Sequence, residues 1–227
     1  MQRLASVGVI AAAAISLAAC SNGQTGATGS STTTGGASTS SSAPSSSSSS
    51  SAAGNGVTTA KDVFGPACSK LPSGSAKGGL KAMTNEPVGT AASTNPLLTK
   101  LTAAAKAAGL VPTLNSSSAQ YTVFAPADAA FKALPSATLK KLLSPAGKAQ
   151  LTKILEYHVL GQRMDKTGLE SAKTVTPLAK GTLTIGGSGS SMTVTDGQGN
   201  VAKVLCGNIP TANATVFVID KVLMQKK

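Results

Sequence analysis

The stretch YTVFAPADAAFKALP, residues 121–135, decides the fold. Its first half alternates β-branched and aromatic side chains, and its second half, after Pro126, is Ala-rich with Phe131 and Leu134 turned to one side. That is the pattern of a core strand feeding an amphipathic helix. Its one carboxylate, Asp128, stands where a helix start favours negative charge. The stretch carries no nucleophile. It reads as scaffold, and function must lie in what the scaffold displays.

Upstream, NPLLTKLTAAAKAAGL (95–110) predicts a helix with Asn95 as its N-cap, Pro96 at the first helical position and Leu97, Leu98 and Leu101 on the buried face. Gly109 is its expected stop. The preceding DVFGPACSKLPSGSAKGGLKAM (62–83) is punctuated by Gly and Pro and reads as irregular. Downstream, SATLKKLLSPAGKAQLTKILEYHVL (136–160) predicts two further helices, capped by Ser136 and by Ser144 with Pro145 behind it. Leu151, Ile154, Leu155 and His158 recur at helical spacing on the second. Beyond Gly161, the runs KTVTPLAKGTLTIGG, SMTVTDGQGNVAKVLCG and ATVFVIDKVLM are β-branched and separated by Gly and Asp-Gly turns, as antiparallel hairpins require. Helices first and strands later is an α+β order.

The first twenty residues, MQRLASVGVIAAAAISLAAC, place one Arg before an apolar, small-residue run that ends at Cys20. This is a secretory leader (1–19), too short to span a bilayer. Its last four residues resemble a bacterial lipobox, which makes Cys20 the expected lipidation site and the new N-terminus. Multiple acyl chains hold a protein stably where one does not, so the expected location is the outer face of the cell membrane, with release into the medium as a further fate. Residues 21–56 are almost entirely Ser, Thr, Gly and Ala, without a charged side chain. Such a segment buries too little apolar surface to offset its ordering entropy and reads as a disordered tether. Thr32, Thr33, Thr34 and the serines of 45–51 are its candidate O-glycosylation acceptors.

Residues 57–227 have the length of one domain. The chain carries a formal net charge of +12, and apart from Arg3 every charged group lies beyond residue 56. A basic domain outside the cell favours anionic partners such as glycans, wall polymers or lipid headgroups. Export makes nucleic acid the least expected anionic partner, and so few aromatics offer no stacking platform for single strands. Lys132, Lys140, Lys141, Lys148 and Lys153 fall on helices whose inner faces are Leu and Ile, and form a candidate basic face. Cys68 and Cys206 remain as an even pair in an oxidising compartment, so a disulfide between them is the expectation, with two separate buried thiols as the alternative.

Catalytic constellations are scarce. The one histidine, His158, must serve any Ser-His or Cys-His pair, and no G-x-S-x-G elbow accompanies it. The carboxylates Asp62, Glu86, Asp128, Glu156, Asp165, Glu170, Asp196 and Asp220 form no tight sequence cluster. The glycines of GTLTIGGSGSS do not fit a phosphate loop, and no metal-ligand spacing or cofactor motif is present.

Three blocks carry a resemblance. YTVFAPADAAFKAL, ILEYHVL and GNIPTANATVFVIDKVLM, in this order, resemble the first block, the central Tyr-His motif and the closing block of fasciclin domains. The likeness spans about residues 85–224 and is nearest to the secreted and lipidated fasciclin antigens of mycobacteria and related actinobacteria, which carry cysteines where Cys68 and Cys206 stand. It implies an α+β fold, a β-wedge with helices packed along it. It also implies a non-catalytic adhesion role toward host cells, neighbouring cells or matrix, with His158 as a packed residue. Integrin recognition in some animal members is assigned to an Asp-Ile pair and to the Tyr-His motif. Here the first is Asn208-Ile209, without the acid, and the second is Tyr157-His158. The closing block has Phe217 where many members carry histidine. Two other readings stand beside adhesion: a carrier holding a glycolipid or other apolar ligand between helices and wedge, and, last, a hydrolase.

Overall fold

A computed structural model of the protein describes residues 56–72 and 74–226. The leader, Cys20 and the tether up to residue 55 lie outside them.

The opening stretch folds as its pattern dictates. Strand β1 (Tyr121–Pro126) leads into helix α5 (Asp128–Lys132), and Phe131 turns into the core. The partner of β1 comes from the far end of the chain: it runs parallel to β7 (Ala214–Ile219), in register from Tyr121↔Ala214 to Pro126↔Ile219. This pair is the centre of the domain. Val123, Ala125, Val216 and Val218 face one core, while Phe124, Phe217 and Ile219 face another. Both faces are covered, which is why ATVFVI is nearly continuous apolar sequence rather than an alternation.

Five more strands complete a seven-stranded sheet in the order β2-β1-β7-β6-β5-β4-β3. They are β2 (Val159–Leu160), β3 (Thr174–Val175), β4 (Leu183–Gly186), β5 (Thr193–Thr195) and β6 (Val201–Pro210). All pairings except β1 with β7 are antiparallel, as the hairpin turns predict. The ten-residue β6 carries the wedge from one half to the other. Its register shifts between Val204 and Cys206 and again before Ile209, and such bulges bend a strand. Asn208 sits in this bend at φ +56°, a left-handed conformation that Asn tolerates better than most residues. Beside it, Gly207 has no substitute: a Cβ there would meet the Phe64 ring at 2.6 Å and Phe217 at 2.8 Å.

Helices α1 (Leu80–Thr84), α2 (Val88–Thr94), α3 (Thr99–Ala108), α4 (Val111–Leu114), α5, α6 (Ser136–Leu143) and α7 (Lys148–Tyr157) contribute to the core outside the wedge. There Leu98, Leu101, Leu151 and Leu155 join Val123 and Val216. Inside the wedge Leu183, Met192, Val194 and Leu223 pack with Phe124 and Phe217. Each fully buried side chain of this size contributes about 2 kcal/mol through the area it removes from water.

The structure revises one helix start. Helix α3 begins at Thr99, not at Pro96, and Asn95 instead closes α2, its side-chain oxygen accepting from the Leu97 N–H at 2.9 Å. Asp128 takes over the capping, accepting from the Lys100 N–H at 2.8 Å and from the Thr99 hydroxyl. One carboxylate therefore serves the first turns of two helices. Gly109 ends α3 as expected, at φ +76°. Ser136 is the first residue of α6 rather than its cap, whereas Ser144 caps a short 3-10 turn that runs into α7. Helices α1, α2 and α8 (Lys166–Ala172) are not expected from the sequence, although Asp165 caps α8 by accepting from the Gly168 N–H at 2.8 Å.

Cys68 and Cys206 form a disulfide with their Cα atoms 5.0 Å apart. It fixes the segment before α1 against β6, where Phe64 and Gly207 also exchange backbone hydrogen bonds.

Candidate functional site

Helix α7 ends in Tyr157-His158, and both rings turn inward. The Tyr157 hydroxyl donates to the Thr182 carbonyl at 2.8 Å and accepts from the Gly197 N–H at 2.9 Å. It thereby ties the helix end to two turns of the hairpin half. Burial pushes its pKa up. His158 Nδ1 lies 2.7 Å from the Ile154 carbonyl, and Nε2 accepts from the Leu223 N–H at 2.9 Å. A carbonyl only accepts and an N–H only donates, so the ring is the neutral Nδ1–H tautomer. Burial pushes its pKa down to about 4, against the opposing pull of the Ile154 hydrogen bond and of Asp196.

With relative exposures of 0% and 2%, Tyr157 and His158 offer nothing to a partner arriving from solvent. They leave the candidate contact surface and join the scaffold. The same holds for Asn208-Ile209: Ile209 is fully buried and the Asn208 side-chain oxygen accepts from the Lys166 N–H at 2.8 Å.

Two further polar groups, unsuspected from sequence, complete this framework. Asp196 is buried without a cation, yet its carboxylate accepts from Gln198 N, Asn200 N, Asn200 Nδ2 and Met224 N at 2.8–3.0 Å. Among the described residues Arg163 is held by neutral acceptors. Its guanidinium donates to the carbonyls of Gly56 (3.2 Å), Thr211 (3.0 Å) and Ala212 (3.4 Å) and to the Thr215 hydroxyl (3.2 Å). Burial pushes its pKa down. Because the Gly56 carbonyl also accepts from the Thr215 hydroxyl at 2.7 Å, the chain enters the domain at the start of the β1–β7 ladder. Helix α5 leaves from the other end, a strand length of about 17 Å away.

What remains exposed is basic. Lys132, Lys140, Lys141, Lys148 and Lys153 all point to solvent from α5, α6 and α7. Two lysines that sequence reading passed over, Lys100 and Lys106, are exposed on α3, which packs on α7. Across these four helices seven lysines face two carboxylates, Asp128 and Glu156.

Two cavities lie beneath the helices. One of about 50 Å³ sits between α2, α3, α4 and the central strands, lined by Val88, Leu98, Leu101, Val123 and Val216. The other, about 130 Å³, lies among α3, α5, α6 and α7. Phe131, Leu142, Leu151 and Leu155 form its buried floor, and the exposed Lys100 and Ala103 mark where it meets solvent. Among the described residues, no three His, Cys, Asp or Glu side chains are grouped as a metal site would need.

The family model of the fasciclin domain matches residues 96–225. The immunogenic protein MPB70 of Mycobacterium bovis is 41% identical over 172 residues, covering 73% of this chain and 83% of that protein. The cell surface glycolipoprotein MPB83 of the same species is 38% identical over 174 residues, covering 73% of each. A solved FAS1 domain pair from the insect cell adhesion molecule Fasciclin I aligns at 14% identity with a TM-score of 0.49, over 62% of this chain and 51% of that one.

Proposed function

The chain belongs to the fasciclin-domain family, and from that premise we propose that it is a lipid-anchored, non-catalytic surface module. In this reading it meets an anionic partner, a host-cell or matrix glycan or a wall polymer, through the lysines of α3, α5, α6 and α7. The observation that carries the reading is the division of labour among side chains. The family's motif residues Tyr157 and His158 are consumed in the interior, while α3, α5, α6 and α7 carry seven exposed lysines against two half-buried carboxylates. A relative described as a cell surface glycolipoprotein supports a surface location, and the leader with Cys20 supports anchoring at the N-terminal side.

A hydrolase finds little support. His158 has both ring nitrogens engaged by backbone and is closed to solvent, so it cannot take a proton from a substrate in this conformation.

The test uses the compact unit Ser49–Lys227, checked for cooperative unfolding, against anionic polysaccharides, wall polymers and whole cells across a salt series. Attraction between exposed charges weakens once the Debye length falls to about 3 Å at 1 M salt. Binding that fades with salt and is lost when Lys132, Lys140, Lys141, Lys148 and Lys153 are changed to Glu supports the reading. Binding indifferent to both overturns it.

A further inference from the structure

We propose that the cavity among α3, α5, α6 and α7 is a binding site for a small anionic amphiphile, an acyl carboxylate of medium length, with its chain in the cavity and its head on Lys100. The size and lining are what such a chain needs. At about 130 Å³ the space is close to the roughly 150 Å³ of an engineered apolar cavity that stays dry and takes up benzene, so it admits about six carbons. Its floor is Phe131, Leu142, Leu151 and Leu155, all buried in the helical core. His158 also lines it, but both ring nitrogens are committed to backbone and offer a ligand no polar contact. The floor thus carries nothing that would favour water over hydrocarbon.

The mouth sets the sign of the head group. Lys100 is the one charged side chain on the lining, and it is exposed. Asp128, the first residue of α5, turns its carboxylate to the start of α3, where it accepts from the Thr99 hydroxyl and the Lys100 N–H. Among the described residues no hydrogen bond holds the Lys100 ammonium, which is exposed. A purely apolar molecule would leave this cation unused, and a simple anion would leave the cavity unfilled, so the amphiphile fits both features at once. This site shares Lys100 with the α3 lysines of the adhesive reading, but it needs the cavity, which that reading does not.

The experiment titrates the disulfide-bonded full chain with octanoate, 1-octanol and acetate, following heat of binding and melting temperature. Octanoate is expected to bind saturably and raise the melting temperature, octanol to bind more weakly, and acetate not at all. Ala103→Phe, which places bulk at the exposed mouth, is expected to abolish octanoate binding. Lys100→Gln is a surface change that keeps the fold, and should lower octanoate affinity roughly threefold to fivefold, to the level of octanol. Absence of saturable octanoate binding overturns the site, as does binding untouched by Ala103→Phe. Equal affinity for octanoate and octanol, or octanoate binding indifferent to Lys100→Gln, overturns the assignment of an anionic head.

Discussion

His158 Nε2 accepts the N–H of Leu223 at 2.9 Å, and so pins the segment after β7 to the end of α7. The bond exists only while the ring is neutral. The folded-state pKa is depressed from 6.5 to about 4, so the native protein binds fewer protons than the unfolded chain between those values. The stability it contributes is complete above pH 6.5 and is lost as pH falls through 4. At about 1.4 kcal/mol per pKa unit the loss comes to roughly 3 kcal/mol. Urea unfolding of wild type and of His158→Gln at pH 7.5, 5.5 and 4.5 isolates this group, because the other titrations are common to both chains. The wild type should lose more stability than the variant over that window. Parallel slopes would show that the imidazole does not carry the dependence.

Asp128 offers a second check, on the helical half. Its carboxylate caps α3 from another element, so Asp128→Ala should cost about 1 kcal/mol, with Asp128→Asn retaining part of it. The α3 reading also predicts that Asn95→Ala loses the local turn to Leu97 and a weak buried contact from its amide to the Met83 sulfur, rather than a helix cap. Thermal unfolding of the three variants orders them. A larger loss from Asn95 than from Asp128 would place the helix start back where the sequence pattern put it.

The disulfide encloses 138 residues of sequence separation. Removing a native bridge from a small exported domain typically costs about 2–5 kcal/mol. Cys68→Ser with Cys206→Ser is therefore expected to lower the urea midpoint clearly and to make the protein indifferent to reductant. Cys206 is buried in the helical core and Cys68 is half-buried against it, so a reductant should act on the folded wild type far more slowly than on the unfolded chain. Fast reduction of the native protein, without unfolding, would contradict that placement.

How much of this was legible in the sequence depends on the range of the interactions. Local chemistry was visible: the strand-to-helix passage at Pro126, the Gly109 stop, the antiparallel hairpins and the even cysteine pair all rest on near neighbours or on counting. The parallel union of β1 with β7 was not, because an apolar run says that both faces are covered without saying which strand lies beside it. Asp128 looked like the start of its own helix, and nothing near it in sequence announced Thr99 and Lys100 as its partners. Arg163 was opaque for the same reason, since its acceptors come from residue 56 and from the turn after β6; Asp196 was visible as the opening of an Asp-Gly turn, but its bond from the Met224 N–H was not. Tyr157 and His158 stood out as a motif, and only burial decides between contact and scaffold. The 130 Å³ cavity is a packing deficit among four helices and has no sequence signal at all.

That last distinction yields the sharpest prediction, because stability and binding should separate onto different residues. Tyr157→Phe removes a hydroxyl that serves both the Thr182 carbonyl and the Gly197 N–H, so two half-buried hydrogen bonds are lost at once. The expected cost is about 2 kcal/mol. At a temperature where the variant is fully folded, its affinity for an anionic polymer should match wild type within error. Reversal of Lys132, Lys140, Lys141, Lys148 and Lys153 should do the opposite, abolishing polymer binding with little loss of stability, since all five are exposed. Measuring melting temperature and polymer binding on both proteins crosses the two effects. If Tyr157→Phe weakens binding while still folded, the Tyr157 region contributes to recognition through the surface it supports, and the lysine face alone does not account for the partner.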